Sequence, residues 1–158
     1  MTGTEIRTGR VPLPPLVYLA ALLAAIALGV AYPLPWLPDL LADLLFAIGG
    51  IALLAVVALW VTAIRAMVAA RTTLNPNGVP ERLLTGGPFA VSRNPIYLAN
   101  TLLLIAIGLI VGSAWFILAA FLAAFVTQKL TIGKEEKILS QKFGKKYHDY
   151  AKRVRRWI

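Results

Sequence analysis

The chain has 158 residues, of which 59% are hydrophobic, and its mean hydropathy is +0.75. Soluble domains are only about 45–50% apolar even when glycine is counted, so this composition excludes a soluble enzyme core and indicates a protein embedded in lipid. Sixteen Lys and Arg residues against seven Asp and Glu give a net charge of +9. By itself this charge is explained equally by a nucleic-acid partner, by binding to anionic lipid or by positive residues that orient the chain in a membrane. Because the sequence has no cysteine, disulfides, Cys-ligated zinc and thiol nucleophiles are excluded.

Long uncharged runs predict four membrane-spanning helices. The first two runs are each long enough to cross a bilayer core of about 30 Å. The stretch 96–127 is uncharged over 32 residues and is interrupted by Gly112-Ser113. A single helix of that length would reach about 48 Å, so we expect two short helices joined by a tight turn. The predicted spans cover about 13–32, 44–64, 96–111 and 113–128.

The positions of the charges predict the orientation in the membrane. All sixteen Lys and Arg residues lie before the first run, between the second and third, or after the fourth. The connection 33–43 carries two aspartates and no positive residue. By the positive-inside rule both termini are then cytoplasmic, which four spans satisfy, and we expect a bacterial or archaeal cell membrane. A cleaved signal peptide is the alternative for the first run, since Arg7 and Arg10 precede it.

The last segment, 129–158, has the pattern of an amphipathic helix. Its apolar residues recur every three or four positions, and lysines and arginines, Arg156 among them, flank this apolar stripe, as expected on an anionic membrane surface. Gly144 predicts a kink or a break. The overall prediction is an all-α integral membrane protein, one domain over 1–158, with four spans, the last two a tight hairpin, and a cytoplasmic C-terminal helical segment. The stripe consists of Leu139, Phe143, Tyr147, Tyr150, Val154 and Trp157.

Two cytoplasmic segments hold most of the groups capable of chemistry. In the loop 65–95, glycines and repeated prolines favour turns with exposed backbone N–H groups. Arg93 could bind a carboxylate or phosphate through two parallel hydrogen bonds; alternatively it is an interfacial anchor, and Pro95 only begins the next helix. Beyond the fourth span, the adjacent carboxylates Glu135 and Glu136 either form a solvated helix face or receive a cationic group of a ligand.

Other kinds of site have little support in the sequence. His148 is the only histidine, so no metal site is predicted, and we expect its ring to be exposed, with proton transfer as the alternative. The sequence has no GxGxxG or GxxxxGK[ST] motif, which leaves Rossmann and P-loop sites unsupported. Nucleic acid is not an expected partner, because the basic tail follows a predicted membrane hairpin.

Two segments of the chain have a distinctive order and spacing. Residues 83–97 read LLTGGPFAVSRNPIY, and residues 135–150, after the uncharged hairpin, read EEKILSQKFGKKYHDY. Together they resemble the isoprenylcysteine carboxyl methyltransferase and phospholipid methyltransferase family, and the resemblance covers about 78–155. It implies an integral-membrane enzyme that uses S-adenosylmethionine without a Rossmann domain. The cofactor would lie between the cytoplasmic loop, the hairpin and the C-terminal helix.

The resemblance also implies roles for individual residues. Arg93 would lie beside the cofactor, and Glu135 would meet the α-amino group of the cofactor. The adenosine side would be lined by Leu83, Leu84 and Phe89, and further cofactor contacts would come from Asn94, Pro95, Ile96 and Tyr97.

The methyl acceptor is less well defined by the sequence. Family members that act on isoprenylcysteine read Arg-His-Pro where this chain has Asn94 in the middle, and they carry an arginine where this chain has Thr131. We therefore expect a lipophilic or amphiphilic acceptor without assuming a prenylated one. Methyl transfer needs alignment and exclusion of water, and an amine acceptor must be neutral, so Glu136 or Tyr97 is a candidate proton acceptor and Arg93 a candidate catalytic residue. The alternatives are an NADPH-dependent enzyme of the sterol-reductase type and a non-enzymatic scaffold or transport subunit.

Overall fold

The computed structural model describes residues 13–71 and 80–158, and within these ranges the chain forms helices and connections without a β-strand. Arg7, Arg10 and positions 72–79 of the predicted loop lie outside the described residues. The helical elements are α1 (Leu13–Ala31), α2 (Asp39–Ala69), a 3-10 turn (Gly87–Ala90), α3 (Pro95–Val111), α4 (Ala114–Thr127), a π-helical segment (Gln128–Ile132), α5 (Gly133–Phe143) and α6 (Lys145–Arg153).

Three helices are long and apolar enough to cross a membrane. They are α1, α2 and the continuous helix Ala114–Phe143, which joins α4, the π-helical segment and α5. Helix α3 is also apolar but has only 17 residues. Each predicted apolar run thus corresponds to a helix, but the apolar pattern underestimates α2 at both ends. It also ends the fourth helix at 128, whereas the helix continues, because a helical backbone persists through the interfacial zone where charged residues are tolerated.

The bundle is built around the hairpin of α3 and α4. Helix α2 packs along α3 and α1 packs along α4, so the hairpin lies between the first two helices. Small residues fill these contacts and let the helix backbones approach closely, while large side chains such as Leu54 and Leu122 are exposed on the outer surface. The buried alanines at the contacts are Ala25, Ala63, Ala99, Ala106, Ala120 and Ala123.

One end of the bundle, which we call the turn end, consists of the α1–α2 connection and the α3–α4 turn. Trp36 packs on Gly112, where an added Cβ would lie 3.0 Å from Trp36 Cδ1. Gly112 ends α3 with a φ of 67°, a left-handed conformation that favours glycine. Trp115 Nε1 donates a hydrogen bond of 2.7 Å to the carbonyl oxygen of Tyr32. The α1–α2 connection therefore covers the α3–α4 turn.

The opposite end, which we call the site end, is joined by polar bonds between helices. The hydroxyl of Tyr18 in α1 lies 2.7 Å from Thr101 Oγ1 and 3.2 Å from the carbonyl oxygen of Tyr97. Trp60 of α2 donates a hydrogen bond of 3.0 Å to Asn100 Oδ1. These bonds attach α1 and α2 to the first turns of α3.

The C-terminal helices turn back over the site end. Gly144 has a φ of 51° and separates α5 from α6, at the position where the sequence predicts a kink or a break. Tyr147 and Tyr150 are buried, while the lysines of α6 are exposed. The apolar face of α6 therefore packs on the protein, which differs from the expected contact with a membrane surface.

Candidate functional site

The site end is organised by the short connection that leads into α3. The carbonyl oxygen of Pro88 accepts a hydrogen bond of 3.1 Å from the backbone N–H of Ser92. Ser92 Oγ in turn accepts one of 3.1 Å from the backbone N–H of Asn94. Pro95 occupies the first turn of α3, where the missing N–H removes no helical hydrogen bond. This local structure fixes the backbone of Arg93 at the start of the helix.

Residues 154–158, which we call the C-terminal strap, lie along this connection. Two backbone carbonyl oxygens of the strap accept hydrogen bonds from the three residues that precede Pro95. The strap therefore restrains the backbone and side chains beside the start of α3. The bonds run from the Arg93 N–H to the Arg155 carbonyl (3.0 Å), from Asn94 Nδ2 to the Arg156 carbonyl (3.0 Å) and from Ser92 Oγ to the Arg156 carbonyl (3.3 Å).

The two adjacent glutamates have different partners. Tyr97 donates a hydrogen bond of 2.6 Å to Glu135 Oε1. Arg156 binds Glu136 through two bonds, 2.9 Å from Nε to Oε1 and 2.6 Å from Nη2 to Oε2, and Arg93 Nη2 lies 3.1 Å from Oε1 of Glu136. In the part of the chain that the structure describes, guanidinium groups pair with Glu136 and not with Glu135. Among the described residues, Glu135 therefore has a neutral hydrogen-bond partner, Tyr97, where Glu136 has two cationic ones.

Arg93 connects several parts of the site. Its side chain is 15% exposed, and its Nη1 donates a hydrogen bond of 3.0 Å to the hydroxyl of Tyr147. Its Nε is buried and has no hydrogen-bond partner among the described residues. Because a buried donor on a charged group is costly when it is unpaired, this N–H is suited to an acceptor atom on a ligand.

Two tyrosines of α6 complete the polar wall of the site. Tyr150 donates a hydrogen bond of 2.6 Å to the carbonyl oxygen of Phe89. Burial raises the pKa of Tyr150 to about 12, and burial followed by the charge of Glu136 raises the pKa of Tyr147. Both phenols therefore remain neutral at pH 7. The hydrogen bond to Glu136 is the main cause that raises the pKa of Arg156.

A mostly apolar cavity of about 90 Å³ lies beside Arg93. Pockets that hold whole small molecules are typically about 300–1,000 Å³. This cavity therefore accommodates only part of a larger ligand unless its walls move apart. Besides Arg93, the lining includes Leu83, Leu84, Phe89, Tyr150, Met67 and Leu139.

The structure arranges the predicted site residues in two groups that share Arg93. Ile96 is half-buried and is not among the residues that line the cavity, and Thr131 is half-buried in the π-helical segment. His148 is exposed, and its Nε2 lies 3.0 Å from Ser140 Oγ. The cavity group is Leu83, Leu84, Phe89 and Arg93, and the polar group is Arg93, Tyr97, Glu135 and Glu136. Asn94 and Pro95 lie at the start of α3, where Asn94 is bonded to the strap.

Sequence reasoning missed the contribution of the C-terminal strap. The pattern groups Arg156 with the exposed cations, whereas the structure pairs it with Glu136. Nothing in a single sequence indicates this pair, since the two residues are on different elements separated by the bend at Gly144. The periodicity assigns Tyr147 and Tyr150 to an apolar stripe, and the signal that this face meets polar groups of the protein is the hydroxyl that each of them carries.

A family model described as phospholipid methyltransferase matches residues 44–146. The match confirms the resemblance that the sequence motifs indicate. It covers α2 except its first five residues, the connection into α3, and the chain on to α5 with both glutamates. Helix α1, most of α6 and the C-terminal strap lie outside it. No curated protein and no solved structure matches the chain significantly.

Proposed function

Because the chain belongs to the phospholipid methyltransferase family and is thereby a membrane methyltransferase, we propose that it transfers a methyl group from S-adenosylmethionine to a lipid-like acceptor with an amine, a carboxylate or a thiol. The observation that carries this proposal is the position of Arg93, which lines an apolar cavity and also contacts Glu136. Arg93 thus lies between the apolar cavity, which suits the adenosine of the methyl donor, and charged side chains, which suit its amino-acid end.

The residues present fit the chemical groups of the methyl donor. Apolar walls suit a purine ring. The buried Nε of Arg93 suits the α-carboxylate, and Glu135 suits the α-ammonium group, through charge-assisted hydrogen bonds. When bound, S-adenosylmethionine supplies an electrophilic methyl group on a sulfonium. Admission of the whole molecule requires the cavity to widen. The residues proposed for the adenosine side are Leu83, Leu84 and Phe89, with Asn94, Pro95, Ile96 and Tyr97 at the start of α3.

The chain's own contribution to methyl transfer is alignment and exclusion of water. A carboxylate or thiolate acceptor needs no base, whereas an amine must lose a proton. Both carboxylate oxygens of Glu136 are engaged by guanidinium groups. For an amine acceptor, Glu136 is therefore the weaker candidate as proton acceptor, which leaves the hydroxyl of Tyr97 as the favoured one.

We further propose that α3 spans the membrane together with the three longer helices, so that both termini are cytoplasmic. At 1.5 Å per residue its 17 residues reach about 26 Å, slightly less than a bilayer core of about 30 Å, and local thinning of the bilayer accommodates such a difference. The site end then faces the cytoplasm, where the methyl donor is dissolved. An amphiphilic acceptor enters from the bilayer between the helices.

The exposed cations of the C-terminal helices are assigned to anionic lipid headgroups in this orientation. Because the apolar face of α6 is covered by the protein, attraction to the membrane surface comes from charge and weakens with salt. The exposed residues are Lys134, Lys137, Lys142, Lys145, Lys146, Lys152 and Arg153 in the helices and Arg155 in the strap.

Calorimetric titration of the detergent-solubilised protein tests the methyl donor. We expect the protein to bind S-adenosylhomocysteine and S-adenosylmethionine but not NADPH. Replacing a charged hydrogen-bond partner costs about 1.5–3 kcal/mol, so Glu135→Gln should weaken binding about 10- to 100-fold. The exposed Glu81 provides the matched control Glu81→Gln, which should bind as the wild type does. Binding of NADPH alone would support the reductase alternative, and binding of neither ligand would support a scaffold.

The methyl acceptor is identified by transfer of labelled methyl groups from S-adenosylmethionine into a total lipid extract. We expect label in an amphiphilic lipid fraction, and about five- to fiftyfold less label when Glu135→Gln is used at a donor concentration near the wild-type Kd, because a 10- to 100-fold weaker affinity lowers the occupancy by that factor. Mass spectrometry of the labelled product then distinguishes methylation of an amine, a carboxylate and a thiol. Label confined to water-soluble products would contradict a lipid-like acceptor.

A further inference from the structure

We infer that Arg156 in the C-terminal strap is a positioning residue that keeps Arg93 available for the amino-acid end of S-adenosylmethionine. The inference rests on the proposed function and goes beyond it, because Arg156 lies outside the residues matched by the family model. It assigns a task to a segment that makes contacts at the site but does not line the cavity.

Arg156 and Arg93 compete for the carboxylate of Glu136. Arg156 engages both carboxylate oxygens of Glu136, at 2.9 and 2.6 Å. Arg93 reaches the same carboxylate only through Nη2, at 3.1 Å from Oε1. Guanidinium and carboxylate groups prefer a pair of parallel hydrogen bonds. Arg156 holds that two-bond arrangement, so Arg93 is left with a single contact to Glu136.

With Glu136 bound by Arg156, the guanidinium of Arg93 keeps one nitrogen without a partner among the described residues. Its Nη1 donates to Tyr147, and its Nε remains buried without a partner among the described residues. If Arg156 did not occupy Glu136, Arg93 could turn both Nε and Nη2 toward that carboxylate. The Nε donor would then be consumed inside the protein and would be lost to a ligand carboxylate.

Arg156 and its neighbour Trp157 are hydrogen-bonded to two other parts of the protein. Its backbone carbonyl oxygen accepts hydrogen bonds from Ser92 and Asn94, the two neighbours of Arg93 in the chain. Trp157 Nε1 donates a hydrogen bond of 2.7 Å to Gln128 Oε1 in the π-helical segment. The side chain of Arg156 is therefore held between the start of α3 and the helix that carries Glu136, which is the location that the positioning role requires.

The experiment compares two ligands that differ only at the amino-acid end. S-adenosylhomocysteine carries the carboxylate and the ammonium group, whereas 5′-methylthioadenosine carries the adenosine and the thioether alone. With the solubilised full chain, Arg156→Gln should weaken binding of S-adenosylhomocysteine about tenfold or more and leave binding of methylthioadenosine within about twofold. Arg155→Gln is the matched control, because the side chain of Arg155 is exposed and its backbone carbonyl persists in the variant.

A second variant separates positioning from a purely structural role. If Glu136 captures Arg93 when Arg156 is absent, the double variant Arg156→Gln/Glu136→Gln should recover affinity for S-adenosylhomocysteine relative to Arg156→Gln alone, a coupling that a double-mutant cycle measures. Equal losses for both ligands, or no recovery in the double variant, would overturn the inference. Unchanged binding in Arg156→Gln would overturn it as well. A wild-type protein that binds neither ligand would instead refute the proposed function, and the inference with it.

Discussion

The two ends of the helical bundle are held together by different kinds of contact. In the half of the bundle next to the turn end, helix backbones approach closely at glycines. A Cβ on Gly49 would lie 2.8 Å from Ile110 Cγ1 and 3.0 Å from the carbonyl oxygen of Ala106, and a Cβ on Gly108 would lie 3.0 Å from Phe116 Cβ. At the site end, segments far apart in the sequence are joined by ion pairs and by hydrogen bonds to tyrosine and asparagine side chains.

This difference separates assembly from chemistry within one small fold. Packing near the turn end depends on side-chain size, because the closely spaced backbones leave no room for larger side chains. None of the proposed site residues lies there. The site end depends on donors, acceptors and charge. Substitutions that change size at the turn end should therefore alter the free energy of unfolding, while substitutions that remove polar groups at the site end should alter ligand binding.

The largest effect on stability is expected for Gly49→Leu. Overpacking a tight contact costs about 1–3 kcal/mol, and here the backbone oxygen of Ala106 cannot move as a flexible side chain would. Gly50→Leu is the control, because an added Cβ there meets no atom within 4 Å. Unfolding free energies are measured by titration with sodium dodecyl sulfate in mixed micelles. Equal stability of the two variants would show that the close approach at Gly49 does not limit side-chain size. A changed affinity for S-adenosylhomocysteine in the folded fraction of Gly49→Leu would show that this contact also affects the site.

A smaller loss of about 1–2 kcal/mol is expected for Gly112→Ala, since a non-glycine residue in a left-handed conformation costs about that much. The added methyl group would also press on Trp36. Gly86→Ala serves as the comparison, because Gly86 has a φ of −107° and open space around it, and it should unfold like the wild type in the same titration. A Gly112→Ala protein as stable as Gly86→Ala would show that the turn end tolerates strain.

The smallest expected effect on stability is at the site end, for Tyr150→Phe. Loss of the hydrogen bond to Phe89 should cost about 0.5–1.5 kcal/mol at pH 8. Because burial raises the pKa of Tyr150 to about 12, above about 10 in the unfolded chain, the stabilisation by its neutral form is fully present below pH 10. It is lost as the pH rises toward 12. The difference in the free energy of unfolding between the wild type and Tyr150→Phe should therefore shrink as the pH rises from about 10 to about 12. A difference that stays constant would contradict a stabilising hydrogen bond from the neutral Tyr150 hydroxyl to Phe89.

Most of the fold could be predicted from the sequence because lipid imposes a simple rule. Uncharged runs must form helices when water is absent from the surroundings of the backbone, and a tight turn at Gly112 follows from the excess length of 96–127. The ends of α2 could not be predicted, and neither could the unbroken passage of α4 into the predicted C-terminal helix as far as Phe143. Charged residues at an interface end the apolar pattern without ending the helix.

The candidate site was predictable where its residues are close in sequence and less so where tertiary packing assembles it. The motif around Arg93 and the glutamate pair stand out in the chain, and Gly144 indicates where the C-terminal helix breaks. The direction of the chain after that break is not encoded in any local pattern. The pair between Arg156 and Glu136, and the contact of Tyr18 with the start of α3, depend on that direction and on the helix order.

The five-residue π-helical segment between α4 and α5 also sets the rotational phase of both glutamates. A π turn closes its hydrogen bonds one residue further along than an α turn, so residues 128–132 act as a one-residue insertion in an otherwise regular helix. Removing one of them would restore the α-helical phase and rotate everything downstream by about 100° around the axis. Glu135 would then turn away from Tyr97, and Glu136 would turn away from Arg93. The electrostatics of the site thus depend on the length of a segment that carries none of its charges.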